Sequence, residues 1–113
     1  MINWILQALK NEGQSLSEYS LEYTTALLMN LSLRVAGKNK CESHGHAGLE
    51  VLSELIELEN MVVRTHVNGT LYSILTRENL RAIAREMGMQ EMLEYLKGQS
   101  DEQLGKQIMY ILN

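Results

Sequence analysis

Three short apolar segments recur along the chain at nearly regular intervals. They are residues 26–31 (ALLMNL), 70–75 (TLYSIL) and 108–113 (IMYILN). The first two segments align at an offset of 43 residues, which shifts their starts by one position and pairs Asn30 with Ser73. The last two align at an offset of 38 residues, which pairs Ser73 with Ile111. A period of about 40 residues is typical of stacked helical repeats. The recurrence therefore predicts a helical array, and it favours a binding function over a catalytic one.

The composition also favours an all-α fold. The 113 residues include no proline, whereas the average usage of about 5% would give about five or six. Hydrophobic residues make up 45% of the chain and aromatic residues 5%. The length suits one compact domain with a modest core, so we predict a single all-helical domain over residues 1–113.

Charge, cysteine usage and hydropathy exclude several classes of function. The formal net charge of −4 argues against nucleic-acid binding, which needs clustered lysine and arginine. Cys41 is the single cysteine and cannot form an internal disulfide, which is typical of a reducing compartment. No segment approaches the roughly 18 apolar residues of a membrane span, and the first ten residues lack the basic start of a signal peptide. We therefore expect a cytoplasmic protein without membrane insertion.

The first third of the chain is predicted to contain two helices. Apolar residues at helical spacing predict a first helix over residues 2–11, which ends before Gly13. Ser15 and Glu18 have the spacing of a capping box, in which each side chain bonds a backbone N–H at the start of a helix. We expect a second, long helix to begin there and to end near Gly37.

The next segment is polar and rich in glycine, and it is predicted to form a loop or one short irregular helix over residues 38–48. A further helix is expected over residues 49–58, with its leucines directed inward. Its acidic residues are interpreted as a solvated helix face, and a contact with a basic partner is the alternative. These residues are Glu50, Glu54, Glu57 and Glu59.

Two local patterns compete in residues 61–75. Asn68-Gly69 between partly alternating flanks is a hairpin signal, because this pair tolerates the positive φ angles of a type I′ turn. Four-residue spacing of Val62, His66, Thr70 and Ile74 indicates a helix instead. The repeat alignment favours the helix, because Gly69 corresponds to Ala26 of a well-patterned helix. A small residue there would let a neighbouring helix approach closely.

The last third is predicted to contain three helices. Residues 77–87 and 89–96 each place apolar residues on one face, and Gly88 and Gly98 end them. Ser100 and Gln103 have the spacing of a second capping box, which would open a final helix containing Leu104, Ile108, Ile111 and Leu112.

The last copy resembles an armadillo repeat, with a short first helix, a glycine, a second helix and a longer third helix. The residues that carry the resemblance are 77–83 (RENLRAI), 88–93 (GMQEML) and 107–112 (QIMYIL). The resemblance implies a right-handed, armadillo-like α-solenoid fragment of about two and two-thirds repeats, in units of about 1–36, 37–75 and 76–113. In that family the third helices line a concave groove that binds extended segments of other proteins.

Three segments resemble, more closely, the family of LisH-domain and armadillo-repeat proteins of the ciliary base, whose defects are linked to a Joubert-type ciliopathy. They are residues 21–31 (LEYTTALLMNL), 37–41 (GKNKC) and 67–75 (VNGTLYSIL). This resemblance implies a piece of a longer chain at the cytoskeleton, at the basal body or centriole of the cilium. Its partners would be ciliary-base or microtubule-associated proteins. The LisH dimerisation motif of that family has no counterpart in these residues, so the resemblance does not imply LisH-driven dimerisation.

The resemblance also suggests residues for the concave surface. Nuclear-import adaptors repeat a tryptophan and an asparagine four residues apart along their groove. Here Asn30 matches the asparagine but Ala26 replaces the tryptophan, so binding of basic localisation peptides is not implied. Seven-residue steps along the two third helices place a set of residues on a similar side, although several of them could simply cap or solvate helices. This set is Tyr23, Asn30, Arg34, His66 and Ser73.

Cys41, His44 and His46 form a Cys-x-x-His-x-His cluster that could in principle hold zinc. The spacing matches no established structural site, so polar loop residues are the simpler interpretation, and no metal or cofactor is predicted. A catalytic pair is also conceivable, with Cys41 as the nucleophile and His44, His46 or His66 as the base. No oxyanion site or orienting carboxylate accompanies them at a recognisable spacing, so we predict that the chain is not an enzyme.

Two functions remain from the sequence. The first is a protein-binding scaffold at the ciliary base, implied by the resemblance. The second is a helical module that assembles with copies of itself, because an incomplete first repeat and a last helix without a polar cap would leave apolar ends that tend to pair.

Overall fold

The computed structural model describes residues 2–12, 17–58 and 60–97, which form seven helices and contain no strand within those ranges. This confirms the predicted all-α architecture. The predicted final helix and its Ser100–Gln103 capping box lie outside the described residues. The helices are α1 (Ile2–Glu12), α2 (Glu18–Ser32), α3 (Val35–His44), α4 (His46–Leu55), α5 (Met61–Ile74), α6 (Glu78–Glu86) and α7 (Met89–Lys97).

Helices α2 and α5 form the centre of the molecule and pack against each other more extensively than any other pair. α2 buries Leu21, Thr25 and Leu28 on one face. Each large apolar side chain removed from water contributes roughly 1.5–3 kcal/mol, so the shared core is the main source of stability. α5 contributes Val63, Val67 and Leu71 to this core. The shorter helices add further buried residues, among them Ile5, Leu9, Leu49, Leu52, Leu80 and Leu93.

Helix α2 begins at Glu18, and its N-cap is Ser17, whose hydroxyl accepts a hydrogen bond from the Ser20 backbone N–H at 3.1 Å. A capping box on Ser15 would place Glu18 at the third helical position, whereas Glu18 is the first. The predicted box is therefore wrong, because Ser17 supplies the hydroxyl that the first turn needs.

The prediction that α2 continues to Gly37 is also wrong. α2 ends at Ser32, and α3 begins at Val35. The Lys38 ammonium donates hydrogen bonds to the Ser32 and Leu33 carbonyl oxygens, at 2.8 and 3.1 Å. A lysine in this position satisfies carbonyls that the end of a helix leaves without partners.

The segment predicted as a loop or one short irregular helix, residues 38–48, belongs instead to two helices, α3 and α4, which are separated by one residue. Gly45 has φ +52° and separates α3 from α4. An L side chain rarely adopts this backbone conformation, so glycine permits the sharp change of direction. The three helices that follow α2 are thus two of 10 residues and one of 14, which is the short–short–long order of an armadillo repeat.

Helix α5 runs without interruption from Met61 to Ile74, which confirms the helix and excludes the hairpin at Asn68-Gly69. The Asn60 side chain caps it by accepting a hydrogen bond from the Val63 backbone N–H at 3.0 Å. Gly69 lies against α2, where a Cβ would come within 2.5 Å of the Met29 sulfur. The predicted close approach of a neighbouring helix is therefore confirmed.

Candidate protein-binding surface

Helices α2 and α5 run in the same general direction. Thr25 Oγ1 lies 3.1 Å from His66 Nδ1, and Met29, one turn further along α2, lies against Gly69, about one turn further along α5. Contacts that advance together along two helices indicate a parallel pair. This is the arrangement expected of the third helices of successive armadillo repeats.

One row of α2 is exposed along the length of the helix. Tyr19 is 79% exposed, Tyr23 is 65% exposed, and Asn30 is exposed as well. Steps of four and seven residues return to the same side of a helix. The side opposite this row holds the buried residues Leu21, Thr25, Leu28 and Ser32.

Helix α5 has an exposed row with the same spacing. Met61 and Tyr72 are 43% and 46% exposed, and Thr65 lies between them and is also exposed. Each successive residue of a helix is rotated by about 100°. On α2, the exposed row is reached by turning one way around the helix axis from the residues that contact α5, Thr25 and Met29. On α5, the exposed row is reached by turning the opposite way from the residues that contact α2, His66 and Gly69.

For parallel helices, opposite rotations place both rows on the same face of the pair. We name this surface the tyrosine face, and it consists of Tyr19, Tyr23 and Asn30 from α2 and Met61, Thr65 and Tyr72 from α5. No charged side chain belongs to either row. Aromatic side chains bring a large contact area together with a polar group, which suits a surface that binds another protein.

The structure brings two of the five sequence candidates, Tyr23 and Asn30, onto this face. His66 is partly buried against Thr25, and Ser73 is 5% exposed. Both lie on the side of α5 that is directed at α2, so neither side chain belongs to the exposed row. Arg34 is exposed, but it is the N-cap of α3 and has an extended backbone, so it does not continue the α2 row.

Thr65 and Tyr72 were missed because the repeat offset was one residue too long. An offset of 43 aligns Tyr23 with His66, whereas an offset of 42 aligns Tyr23 with Thr65 and Asn30 with Tyr72, so that exposed residues match exposed residues. The buried residues of α2 then match Val63, Val67, Thr70 and Ile74, which are all buried. The burial pattern of the two helices in the structure therefore shows this register, and the apolar pattern of the sequence does not.

The cysteine–histidine cluster does not converge on one point. Cys41 is buried in the core, and burial raises the pKa of its thiol to about 11, against a smaller lowering by the Lys38 charge. A thiol with so high a pKa is a weak nucleophile at neutral pH. His46 is exposed, with Nδ1 3.6 Å from a Glu50 carboxylate oxygen. Within the part of the chain that the structure describes, no three metal-ligating side chains are grouped closely enough to hold an ion.

None of the described helices, α1–α7, is long and apolar enough to cross a bilayer. A cavity of about 10 Å³, lined by residues such as Leu6, Leu28 and Cys41, lies inside the core and is too small for a ligand.

The comparisons with known proteins agree with this geometry. The family described as "LisH domain-containing protein ARMC9, ARM repeats" matches residues 1–113. Proteins named LisH domain-containing protein ARMC9 from Bos taurus, Homo sapiens and Danio rerio are 44%, 42% and 41% identical over 112 residues, which is 99% of this chain.

No solved structure matches the chain. The chain spans 17%, 14% and 14% of the length of the relatives from Bos taurus, Homo sapiens and Danio rerio. ARM repeats are protein-interaction modules of the scaffold type, which fits an exposed aromatic face on parallel third helices. With the family matched over every residue, this chain belongs to the ARM-repeat family of LisH domain-containing protein ARMC9.

Proposed function

We propose that this chain is a non-enzymatic scaffold module that binds other proteins at the ciliary base and acts in the assembly and stability of the cilium. Its site of action is the cytoplasmic cytoskeleton, at the basal body or centriole, and its partners are ciliary-base or microtubule-associated proteins. Membership of the ARM-repeat family supports the scaffold role. The single observation that carries the proposal is the tyrosine face.

The chemistry of the tyrosine face defines the kind of partner. Tyr23 is the middle residue of the α2 row and Tyr72 is the last residue of the α5 row, and both are held on neighbouring helices that pack against each other. Tyrosine is among the residues that contribute most binding energy in protein interfaces, because it loses little conformational entropy when its ring is buried. An extended partner segment that lies across α2 and α5 would cover both rings.

The test uses a fluorescent fusion of the 113-residue chain in ciliated cells. We expect the fusion to concentrate at the ciliary base. We expect the enrichment of Tyr23→Arg/Tyr72→Arg to be at least about tenfold lower, because the loss of two aromatic interface residues costs a large part of the binding energy. Tyr95→Arg is the matched control, since Tyr95 is 67% exposed on α7, outside the tyrosine face. Circular dichroism of the purified variants checks that all remain helical.

The outcomes separate the two parts of the proposal. A wild-type fusion distributed evenly through the cytoplasm contradicts the ciliary site of action. Enrichment that survives in the double variant contradicts the role of the tyrosine face while leaving the site of action supported.

Self-association is the second candidate function, and the exposed apolar side chains away from the tyrosine face favour it. Trp4 is 67% exposed on α1, and Leu33 and Val35 are 63% and 68% exposed at the α2–α3 junction. Exposed apolar side chains of this size often mark a surface that a neighbouring repeat or a second copy of the chain covers.

Light scattering after size-exclusion chromatography tests this alternative. If copies pair through these residues, the wild-type chain has the mass of a dimer at high concentration, and Trp4→Gln/Val35→Lys has the mass of a monomer. A monomeric wild-type chain over the whole concentration range excludes self-association.

A further inference from the structure

Helices α6 and α7 enclose a groove that is separate from the tyrosine face. It opens between the two helices beside the end of α5 and has a volume of about 50 Å³. Pockets for small molecules have volumes of roughly 300–1,000 Å³, so this groove admits one side chain rather than a cofactor. Its floor is apolar and consists of the buried residues Leu75, Ala84, Met89 and Leu93.

Two arginines form the rim of the groove. Arg81 and Arg85 both line it, Arg81 is partly exposed, and Arg85 is exposed. They are four residues apart on α6, so their positive charges lie on one face and repel each other. Among the described residues the one ion pair within 4.0 Å is His46–Glu50, which involves neither arginine.

The charge of the rim is opposite to that of the chain as a whole, whose formal net charge is −4. A guanidinium group binds a carboxylate through two parallel hydrogen bonds, and two guanidinium groups one helical turn apart can bind successive carboxylates. The combination of a single-residue apolar groove and a positive rim selects an apolar side chain with acidic neighbours.

We propose that the α6–α7 groove is a second docking site, which binds an acidic segment of a partner protein. An apolar side chain of the segment enters the groove over Ala84 and Met89, and adjacent carboxylates pair with Arg81 and Arg85. The site lies on α6 and α7 and not on the exposed rows of α2 and α5. Its test is therefore independent of the test of the tyrosine face.

The test measures binding of synthetic, fluorescently labelled peptides to the 113-residue chain by fluorescence anisotropy. The probe peptide carries one leucine with two glutamates on each side, and the matched peptides carry glutamines or lysines in place of the glutamates. We expect the glutamate peptide to bind at least about tenfold more tightly than the glutamine peptide at low salt, and less tightly as sodium chloride is added.

Charge reversal on the protein makes the test specific. Arg81→Glu/Arg85→Glu should remove the preference for the glutamate peptide and create one for the lysine peptide, a gain that a misfolded protein would not show. Arg34→Glu is the matched control, because Arg34 is exposed at the start of α3 and does not line the groove.

Three results would overturn the proposal. One is equal binding of the glutamate and glutamine peptides, and another is binding that the double charge reversal leaves unchanged. The third is a dimer in light scattering that the double charge reversal converts to a monomer, because the groove would then be covered by a second copy of the chain.

Discussion

The α2–α5 pair and the corner formed by α2, α3 and α4 are built in different ways. The pair is held by side chains that interlock along two long helices, with Gly69 admitting Met29 at one point. The corner depends on the backbone, since α3 crosses the end of α2 so closely that a Cβ on Gly37 would overlap the Leu31 carbonyl oxygen. Two short helices then meet at Gly45.

The difference explains which changes each region can absorb. A side chain such as Met29 has several rotatable bonds and can move away from an added methyl group. A carbonyl oxygen within a helix is fixed by the hydrogen bonds of its neighbours and moves only with the helix. We therefore expect equal chemical changes to have unequal effects in the two regions.

The largest effect is expected from Gly37→Ala. The new methyl group overlaps the Leu31 backbone, so α2 and α3 must separate, and we expect the free energy of unfolding to fall by about 3 kcal/mol. Urea denaturation followed by circular dichroism measures this loss. A variant as stable as the wild type would show that α3 does not cross α2 at this distance.

A smaller loss is expected from Lys38→Met, which keeps the length of the side chain and removes its charge. The two carbonyls that Lys38 caps lose a charged donor, and we expect the free energy of unfolding to fall by about 1.5 kcal/mol. Lys40→Met is the matched control, because Lys40 is exposed on the same helix and should change stability by less than about 0.5 kcal/mol. Equal losses of unfolding free energy in Lys38→Met and Lys40→Met would contradict the capping role of Lys38.

The sequence could predict α5 and the helices after it but not the corner, for a physical reason. The helices predicted over residues 61–75, 77–87 and 89–96 correspond to α5, α6 and α7. They followed from apolar spacing, from the repeat alignment and from Gly88, which has φ +76° at the end of α6. The corner has no comparable pattern, since α3 contains mostly polar residues and buries Gly37 and Cys41 alone. Its helical structure depends on contacts with α2, and apolar spacing within a segment does not report such contacts.

The candidate surface shows a second limit of the sequence. The repeat directed attention to α2 and α5, and two of the residues that it selected, Tyr23 and Asn30, lie in the exposed row of α2. A one-residue error in the offset rotates every transferred position by about 100°, which moved the candidates on α5 from the exposed row to the α2-facing side. The apolar pattern of α5 did not correct the error, because α5 is buried over more of its circumference than α2.

The comparison is sharpened by Gly69→Ala, which adds the same methyl group to the pair that Gly37→Ala adds to the corner. Met29 must move, but alanine is the better helix former by about 1 kcal/mol, so we expect a net loss of about 1 kcal/mol or less. Thermal denaturation of the two alanine variants under identical conditions gives the ranking. A loss at Gly69 equal to that at Gly37 would mean that the side chains of the pair are as rigid as the backbone of the corner.

The smallest effect, and the only one of opposite sign, is expected from Gly48→Ala in α4. A Cβ at this position would lie 3.6 Å from both the His44 Cβ and a Leu6 methyl group, which is ordinary van der Waals contact. The methyl group also borders the small cavity in the core. Because no atom has to move and alanine favours the helix, we expect the free energy of unfolding to rise by about 0.5–1 kcal/mol in urea denaturation. A destabilised Gly48→Ala variant would show that α4 packs more tightly on α1 than these distances allow, and the restriction to glycine would then extend beyond Gly37 and Gly45 to the whole corner.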